Sequence, residues 1–226
     1  YGLVGSEMCI RDSPRNIVKH AKSHGLDIIG ICDHNSCENV PAVRKNADRE
    51  GIKVVGGIEV TSREEVHILA LFDVEREVFS LQKIIYENLH GVNNEKFYGE
   101  QIVANEDDEI IGYNDKLLIG ATELSIEHIV KIIHELNGIA IASHVDRESF
   151  GIIGQLGFIP EGLPLDALEM VSEKVNIDAA IPIIASSDAH RPEDIGRRWT
   201  CFSMEDATIE EMKMALRETN GRRLTV

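Results

Sequence analysis

The sequence predicts a single α/β barrel, and three observations lead there. Apolar, strand-like runs alternate with amphipathic helical stretches, the order expected of parallel strands joined by crossover helices. Side chains that bind metals recur just beyond those runs. Asp33-His34 follows Asp27–Ile31, Glu59 follows Val54–Ile58, His144 follows Ile139–Ser143, Asp188-Ala189-His190 follows Ala180–Ala185, and His67 opens Ile68–Phe72. In a barrel the strand ends meet on one face, so ligands distant in sequence become neighbours. Finally, 226 residues suffice for one such domain, and the apolar patterning shows no second core.

Ser13-Pro14 reads as an N-cap followed by proline in the first turn, and Ile17, Val18 and Ala21 give an apolar face that stops at Gly25. A strand over 27–32, a helix near 38–50 ending at Gly51 and a strand over 52–59 follow. Only seven residues lie between Glu59 and His67. That is too few for a crossover helix, so an antiparallel hairpin is expected, with Glu59 and His67 at the same end. After a helix near 75–90, residues 91–122 read as an insertion outside the barrel core. Within it, Gln101–Ala104 and Glu109–Gly112 flank Asn105-Glu106-Asp107-Asp108 as a hairpin. Such an excursion is either a lid or specificity element, or decoration. Ser125 caps a helix that stops at Gly138, strands follow over 139–143, 166–171 and 180–185, and Thr208 opens a last helix over 208–219.

Composition excludes several classes. Twenty-three basic residues against 39 acidic ones leave a formal charge of −16, which repels nucleic-acid backbones and argues against tight non-specific binding to them. The four cysteines, Cys9, Cys32, Cys37 and Cys201, have no regular spacing and suggest reduced thiols in a cytoplasmic protein. No apolar run approaches the roughly 20 residues needed to span a bilayer, and no export signal is evident.

The chemistry follows from the residue types. Histidine with carboxylate suits zinc, manganese or iron, and a carboxylate such as Glu59 can bridge two ions where histidine cannot. Paired ions serve both the attacking and the leaving oxygen of a phosphoester, so hydrolysis is the expected reaction. At these residues the chain resembles the polymerase and histidinol phosphatase (PHP) family of metal-dependent phosphoesterases. The resemblance rests on Gly25–Ser36, Gly57-Ile58-Glu59-Val60, His67-Ile68-Leu69, Ser143-His144 and Ser187–His190, and covers residues 14 to about 200. It implies a distorted (β/α)7, TIM-like barrel with two or three divalent ions (Zn, Mn or Fe) at the C-terminal strand ends. Glu59 would bridge two ions, His67 and His144 would complete one, His34 and His190 would hold another, and Asp188 would serve the remaining one. Asp33 would orient His34 or a water. Arg147 and Arg191 are candidates to clamp a substrate phosphate, against surface ion pairing. His20, His24, His90, His128 and His134 fall in or beside helices and are not expected to take part.

One departure stands out. Members of the family begin with a strand carrying His-x-His, whereas residues 1–13 contain no histidine and no expected strand-and-loop pattern. That stretch resembles translated sequencing-adapter read-through, so residues 1–13 are expected to be foreign, with the native first strand missing or replaced and the barrel domain occupying 14–226. Natural loss of the strand is the alternative. The expected activity is hydrolysis, through a metal-bound hydroxide, of a small phosphomonoester, a nucleoside bisphosphate or the 5′ end of a short oligonucleotide. A metal-dependent amidohydrolase and a catalytically impaired metal-binding domain remain open as alternatives.

Overall fold

The computed structural model describes residues 2–4, 13–172 and 180–226. Tyr1 and residues 5–12, most of the segment expected to be foreign, lie outside them. Strand β1 (Gly2–Val4) is followed by helix α1 (Pro14–Ser23), β2 (Ile28–His34), α2 (Val40–Glu50), β3 (Lys53–Thr61) and β4 (His67–Phe72). Helix α3 (Glu75–Asn88) leads to the insertion, with α4 (Glu95–Tyr98), β5 (Ile102–Ala104) and β6 (Ile110–Tyr113). The chain continues through α5 (Ile126–Glu135), β7 (Ile139–Ala142), α6 (Ile152–Leu156), β8 (Ala167–Met170), β9 (Ile183–Ala185), β10 (Cys201–Ser203), α7 (Ile209–Leu216) and β11 (Arg223–Thr225). The caps read from the sequence are in place. Ser13 accepts from the amide of Asn16, Ser125 from that of His128 and Thr208 from that of Glu211, while Gly51 ends α2 in the left-handed conformation.

Seven strands form one curled sheet in the order β1-β2-β3-β4-β7-β8-β9. The expected TIM-like α/β fold is thus observed, with the ladder open between β1 and β9 among the described residues. Gly2–Val4 pairs in parallel with Ile29–Ile31, so a segment without His-x-His fills the place beside β2, where the sequence showed no strand pattern. Strand β4 is antiparallel to both β3 and β7, and the remaining pairs are parallel. One geometric consequence decides the site. The start of β4 lies on the same edge of the sheet as the ends of β2, β3, β7, β8 and β9.

Side-chain parity builds a layered inner face. Ile29, Ile31, Val54 and Ile58 pack with the helices α1, α2, α3 and α5, while Ile28, Cys32, Val55, Leu69, Leu71, Ile139, Ile141, Ala167 and Ile184 pack with α7 residues Met212, Ala215 and Leu216. Counting by twos along that second face, each apolar layer ends in a polar residue at the common edge. Cys32 leads to His34, Val55 to Gly57 and Glu59, Leu69 back to His67, Ile141 to Ser143, Ala167 to Glu169 and Ile184 to Ser186. Gly57 is needed under Glu59, since a Cβ there would stand 2.5 Å from the carbonyl oxygen of Ala70 and 2.6 Å from Cys32 Sγ.

The small sheets are both antiparallel pairs: β5–β6 is a hairpin, whereas β10 and β11 pair across the intervening helix α7. The first matches the hairpin expected in the insertion. The second was not anticipated, because three-residue strands carry too little periodicity to be read. Among the described residues no helix is long and apolar enough to cross a membrane, and Cys32, Cys37 and Cys201 are free, the first two buried.

Candidate metal centre

The shared sheet edge gathers four of the predicted ligands into direct contact. Glu59, buried near the end of β3, divides its two oxygens between different histidines. Oε1 lies 3.1 Å from His67 Nδ1 and 3.4 Å from His144 Nε2, while Oε2 lies 3.2 Å from His34 Nδ1. His67 Nδ1 and His144 Nε2 are themselves 3.1 Å apart. The hairpin register makes this possible: Thr61 pairs with His67 and Glu59 with Leu69, so the carboxylate and the imidazole rise on the same face at the same end, as expected.

The residues fit a metal. His34, Glu59 and His67 offer ligand atoms that all lie within 4.8 Å of one another. His144 Nδ1 is buried without a hydrogen-bond partner, so the ring is held entirely through its other nitrogen. Ring nitrogens facing both a carboxylate and each other repel unless a proton or cation stands between them, and imidazole with carboxylate is a donor set for zinc, manganese or iron. Burial disfavours a charged Glu59, but the surrounding His34, His144 and His67 outweigh it and hold the carboxyl well below its usual range. Burial likewise pulls His67 down, whereas for His144 the Glu59 contact and the Glu59, Glu169 and Asp188 charges overcome burial and raise it.

The remaining predicted residues form a rim. Asp188, in the loop after β9, is buried and has φ 42°, and His144 in the loop after β7 has φ 28°. Two non-glycine residues in the left-handed region at one edge of the sheet are strain of the kind that clusters at functional sites. The Asp188 carboxylate pairs with Arg147 Nη1 at 2.5 Å. His190 Nδ1 donates to the Asp188 carbonyl, 3.0 Å away, and its ring centroid is 6.2 Å from that of His34. It stands at the edge of the cluster, half exposed. Arg191 is exposed, and no contact described for it reaches the site. It precedes the short 3-10 helix Pro192–Asp194 in an extended conformation.

Asp33 stands on the far side of β2 from the cluster. Parity puts it on the opposite face of β2 from His34, and its carboxylate accepts from Asn39 Nδ2 at 3.3 Å. It therefore belongs to the wall between the barrel and the insertion, where it lines a cavity with His34, Glu38, Tyr98, Ile102 and Leu118. The insertion is pinned there. Asn39 bonds Ile102 O and Ala104 N like an added strand residue, and Asn35 bonds Leu118 O, Gly120 O and the amide of Thr61.

Sequence reasoning missed three residues. Glu169 sits inside β8, buried, against Ser143, Ser186 and the His144 amide. A lone carboxylate between Leu168 and Met170 was the available signal. Phe150 stacks on His67, with ring centroids 4.5 Å apart, and its carbonyl accepts from the His67 amide. Asn35 holds a left-handed turn at the end of β2. The histidines set aside do lie elsewhere: His24 bonds the His20 carbonyl, His90 pairs with Glu123 and His134 with Asp166.

The model for the PHP domain matches residues 5–161, well over half of the chain, and that for the PHP-associated region matches residues 172–220. The chain belongs to the PHP family. Among solved structures, the lesion-specific endonuclease Q of Pyrococcus furiosus superposes with a TM-score of 0.71 at 18% identity, over 99% of this chain and 57% of that one. Endonuclease Q bound to a 27-mer duplex with an abasic lesion at its active site gives 0.70 at 19% identity, again over 57% of that chain. A candidate metal-dependent phosphoesterase of Bifidobacterium adolescentis gives 0.59 at 15% identity, over 88% of this chain and 92% of that one. An uncharacterized protein of Methanocaldococcus jannaschii is 36% identical over 61 residues, which make up 27% of this chain and 35% of that protein. The chain thus spans just over half of the endonuclease and about a third of the archaeal relative. At these identities the solved structures establish a common fold, and this PHP chain carries its own candidate centre on it.

Proposed function

We propose that this PHP chain is a metal-dependent phosphoesterase acting on a small phosphomonoester, a nucleoside bisphosphate or the 5′ end of a short oligonucleotide. One observation carries the reading: Glu59 turns one oxygen toward His67 and His144 and the other toward His34. That division is what a carboxylate shared by two cations requires. Zinc, manganese or iron ions held by His34, Glu59, His67 and His144, with Asp188 and His190 at the rim, would supply Lewis-acid activation of water and phosphoryl oxygens.

The chain's own residues supply the rest. The inner apolar layer keeps bulk water from the base of the site, which strengthens its electrostatics. Arg147, 43% exposed along its side chain, stands at the mouth and presents a planar guanidinium suited to a phosphate. The cavity shared with the insertion lies against His34 and would receive the leaving group, making the insertion a specificity element. The −16 charge favours a short substrate over a long polyanion, which separates this reading from the duplex bound by endonuclease Q.

The test is hydrolysis of p-nitrophenyl phosphate, a nucleoside bisphosphate, a 5′-phosphorylated oligonucleotide and an amide substrate by chain reloaded with Mn²⁺ or Zn²⁺. Phosphoester turnover that is lost on chelation and in Glu59→Gln and His144→Ala is expected. Turnover of the amide alone would replace this reading by an amidohydrolase. A second reading, a catalytically impaired metal-binding domain, is favoured by the Arg147–Asp188 pair and the absence of His-x-His, and tight metal binding without any turnover would establish it.

A further inference from the structure

Glu169 is a buried carboxylate at the centre of the site edge that none of the proposed chemistry uses. It is 2% exposed, on β8, between the strands that deliver His144 and Asp188. Each of its oxygens is engaged. Ser186 Oγ, beyond β9, donates to Oε1, and both Ser143 Oγ at 2.8 Å and the His144 amide at 3.0 Å reach Oε2. The main chain adds a further bond, from the Val145 amide to the Glu169 carbonyl at 2.9 Å. Ser143 Oγ also lies 2.9 Å from Glu59 Oε1, so one hydroxyl sits between the two carboxylates.

We infer that Glu169 is a positioning residue: it holds His144 in its left-handed turn and, through Ser143, sets the orientation of the Glu59 carboxylate, so that both present their ligand atoms before a metal arrives. The backbone argument is direct. At φ 28° His144 occupies a conformation that is costly for a non-glycine residue, and such a residue persists only when its surroundings over-determine it. Bonds to Glu169 at the His144 and Val145 amides provide that constraint on both sides of the strained residue. The side-chain argument is equally specific. Glu59 Oε1 faces two imidazoles, and the Ser143 hydroxyl is the contact that ties this oxygen to Glu169 and so to the wall of the site. Burial makes the arrangement costly to leave incomplete, since a buried carboxylate without its donors loses far more than an exposed one.

This inference rests on the metal reading of the same site, and its test separates the two. Mn²⁺ affinity and stoichiometry would be measured by calorimetry on the full chain, with the melting temperature of metal-free protein recorded beside them. Glu169→Gln keeps size and one acceptor, and is expected to leave the metal-free melting temperature near that of the parent while weakening Mn²⁺ binding roughly 10- to 100-fold, the usual cost of disturbing a group that orients ligands. Ser143→Ala should weaken binding similarly. Because both act through one chain of contacts, the double variant should lose no more than the larger single loss. Mn²⁺ affinity within about 2-fold of the parent in Glu169→Gln, or losses that simply multiply, would overturn the positioning role while leaving the metal reading intact. A parent chain that binds no divalent ion would overturn both. Should Glu169→Gln not fold, Ser143→Ala decides alone, since an unchanged Mn²⁺ affinity there removes the link to Glu59.

Discussion

The two halves of the candidate centre are built on different principles. The inner half is buried: Glu59 and His67 stand on the regular strands β3 and β4, and His144 follows two residues after the end of β7. The outer half, Arg147, Asp188 and His190, hangs on loops after β7 and β9 and is partly open. In the inner half, ladder register places the ligands, and Glu169, Ser143 and Phe150 hold them. In the outer half an ion pair, Arg147 with Asp188, neutralises charge. The comparison teaches that the inner half is organised by the fold, whereas the outer half depends on what binds there.

That contrast can be broken most sharply at Glu59. Glu59→Gln removes the carboxylate that the two proposed cation positions would share, and we expect Mn²⁺ affinity and phosphoester turnover to fall by more than the roughly 100-fold upper range of ligand-orienting groups. Calorimetry and steady-state rates check it. If Asp188→Asn costs more than Glu59→Gln, the order of importance of the halves is reversed.

Packing gives the next largest effect. Gly57→Ala introduces a Cβ 2.5 Å from backbone at Ala70, which no side-chain rotation relieves, and should destabilise the fold by about 1–3 kcal/mol while lowering metal affinity. Denaturant unfolding with and without Mn²⁺ measures both. Arg147 stands at the mouth of the site, partly exposed and paired with Asp188. Arg147→Ala is expected to raise KM for a phosphomonoester about 10-fold, in line with loss of a charge-assisted hydrogen bond, with the Mn²⁺ affinity of the inner half unchanged. A fall in that affinity would show that the two halves are coupled.

The smallest effect is a control at the opposite end of the sheet. Burial opposes charge on Asp166, but His134, 2.8 Å away, and the Ala140 amide hold its pKa below the usual value. A depressed carboxylate pKa contributes stability above the unfolded value of about 4 that disappears as pH falls through the folded pKa. Asp166→Asn should therefore cost about 1–2 kcal/mol near neutrality and nothing at strongly acid pH, with metal binding unaffected throughout. Unfolding curves across pH 2–7 test it.

Much of the barrel was legible because its signals are local. Ser13, Ser125 and Thr208 announce helix starts, and the short spacing from Glu59 to His67 leaves no geometry but a hairpin. The ligands His34, Glu59, His67 and His144 were legible because each follows or opens an apolar run. Asp33 and His34 are adjacent in sequence yet stand on opposite faces of β2, a separation that strand alternation imposes. Arg191 follows His190 directly, but its exposure is set by the loop and not by that adjacency. Glu169 escaped because a carboxylate inside a strand looks like an ordinary solvent-facing residue until the strand is seen to be buried on both faces.

By itself the sequence determined the alternation of helices and strands, the ends at which they start and stop, and the donor types at one edge of the sheet, since these depend on neighbours a few residues apart. Only the tertiary structure decided which donors meet, which oxygen of Glu59 faces which histidine, that Asp188 is paired by Arg147, and that Glu169 holds the strained His144 in place. Those contacts join residues from 8 (Glu59 and His67) to 85 (Glu59 and His144) positions apart in the chain, and their geometry is set by sheet register, curl and burial, which no local pattern encodes.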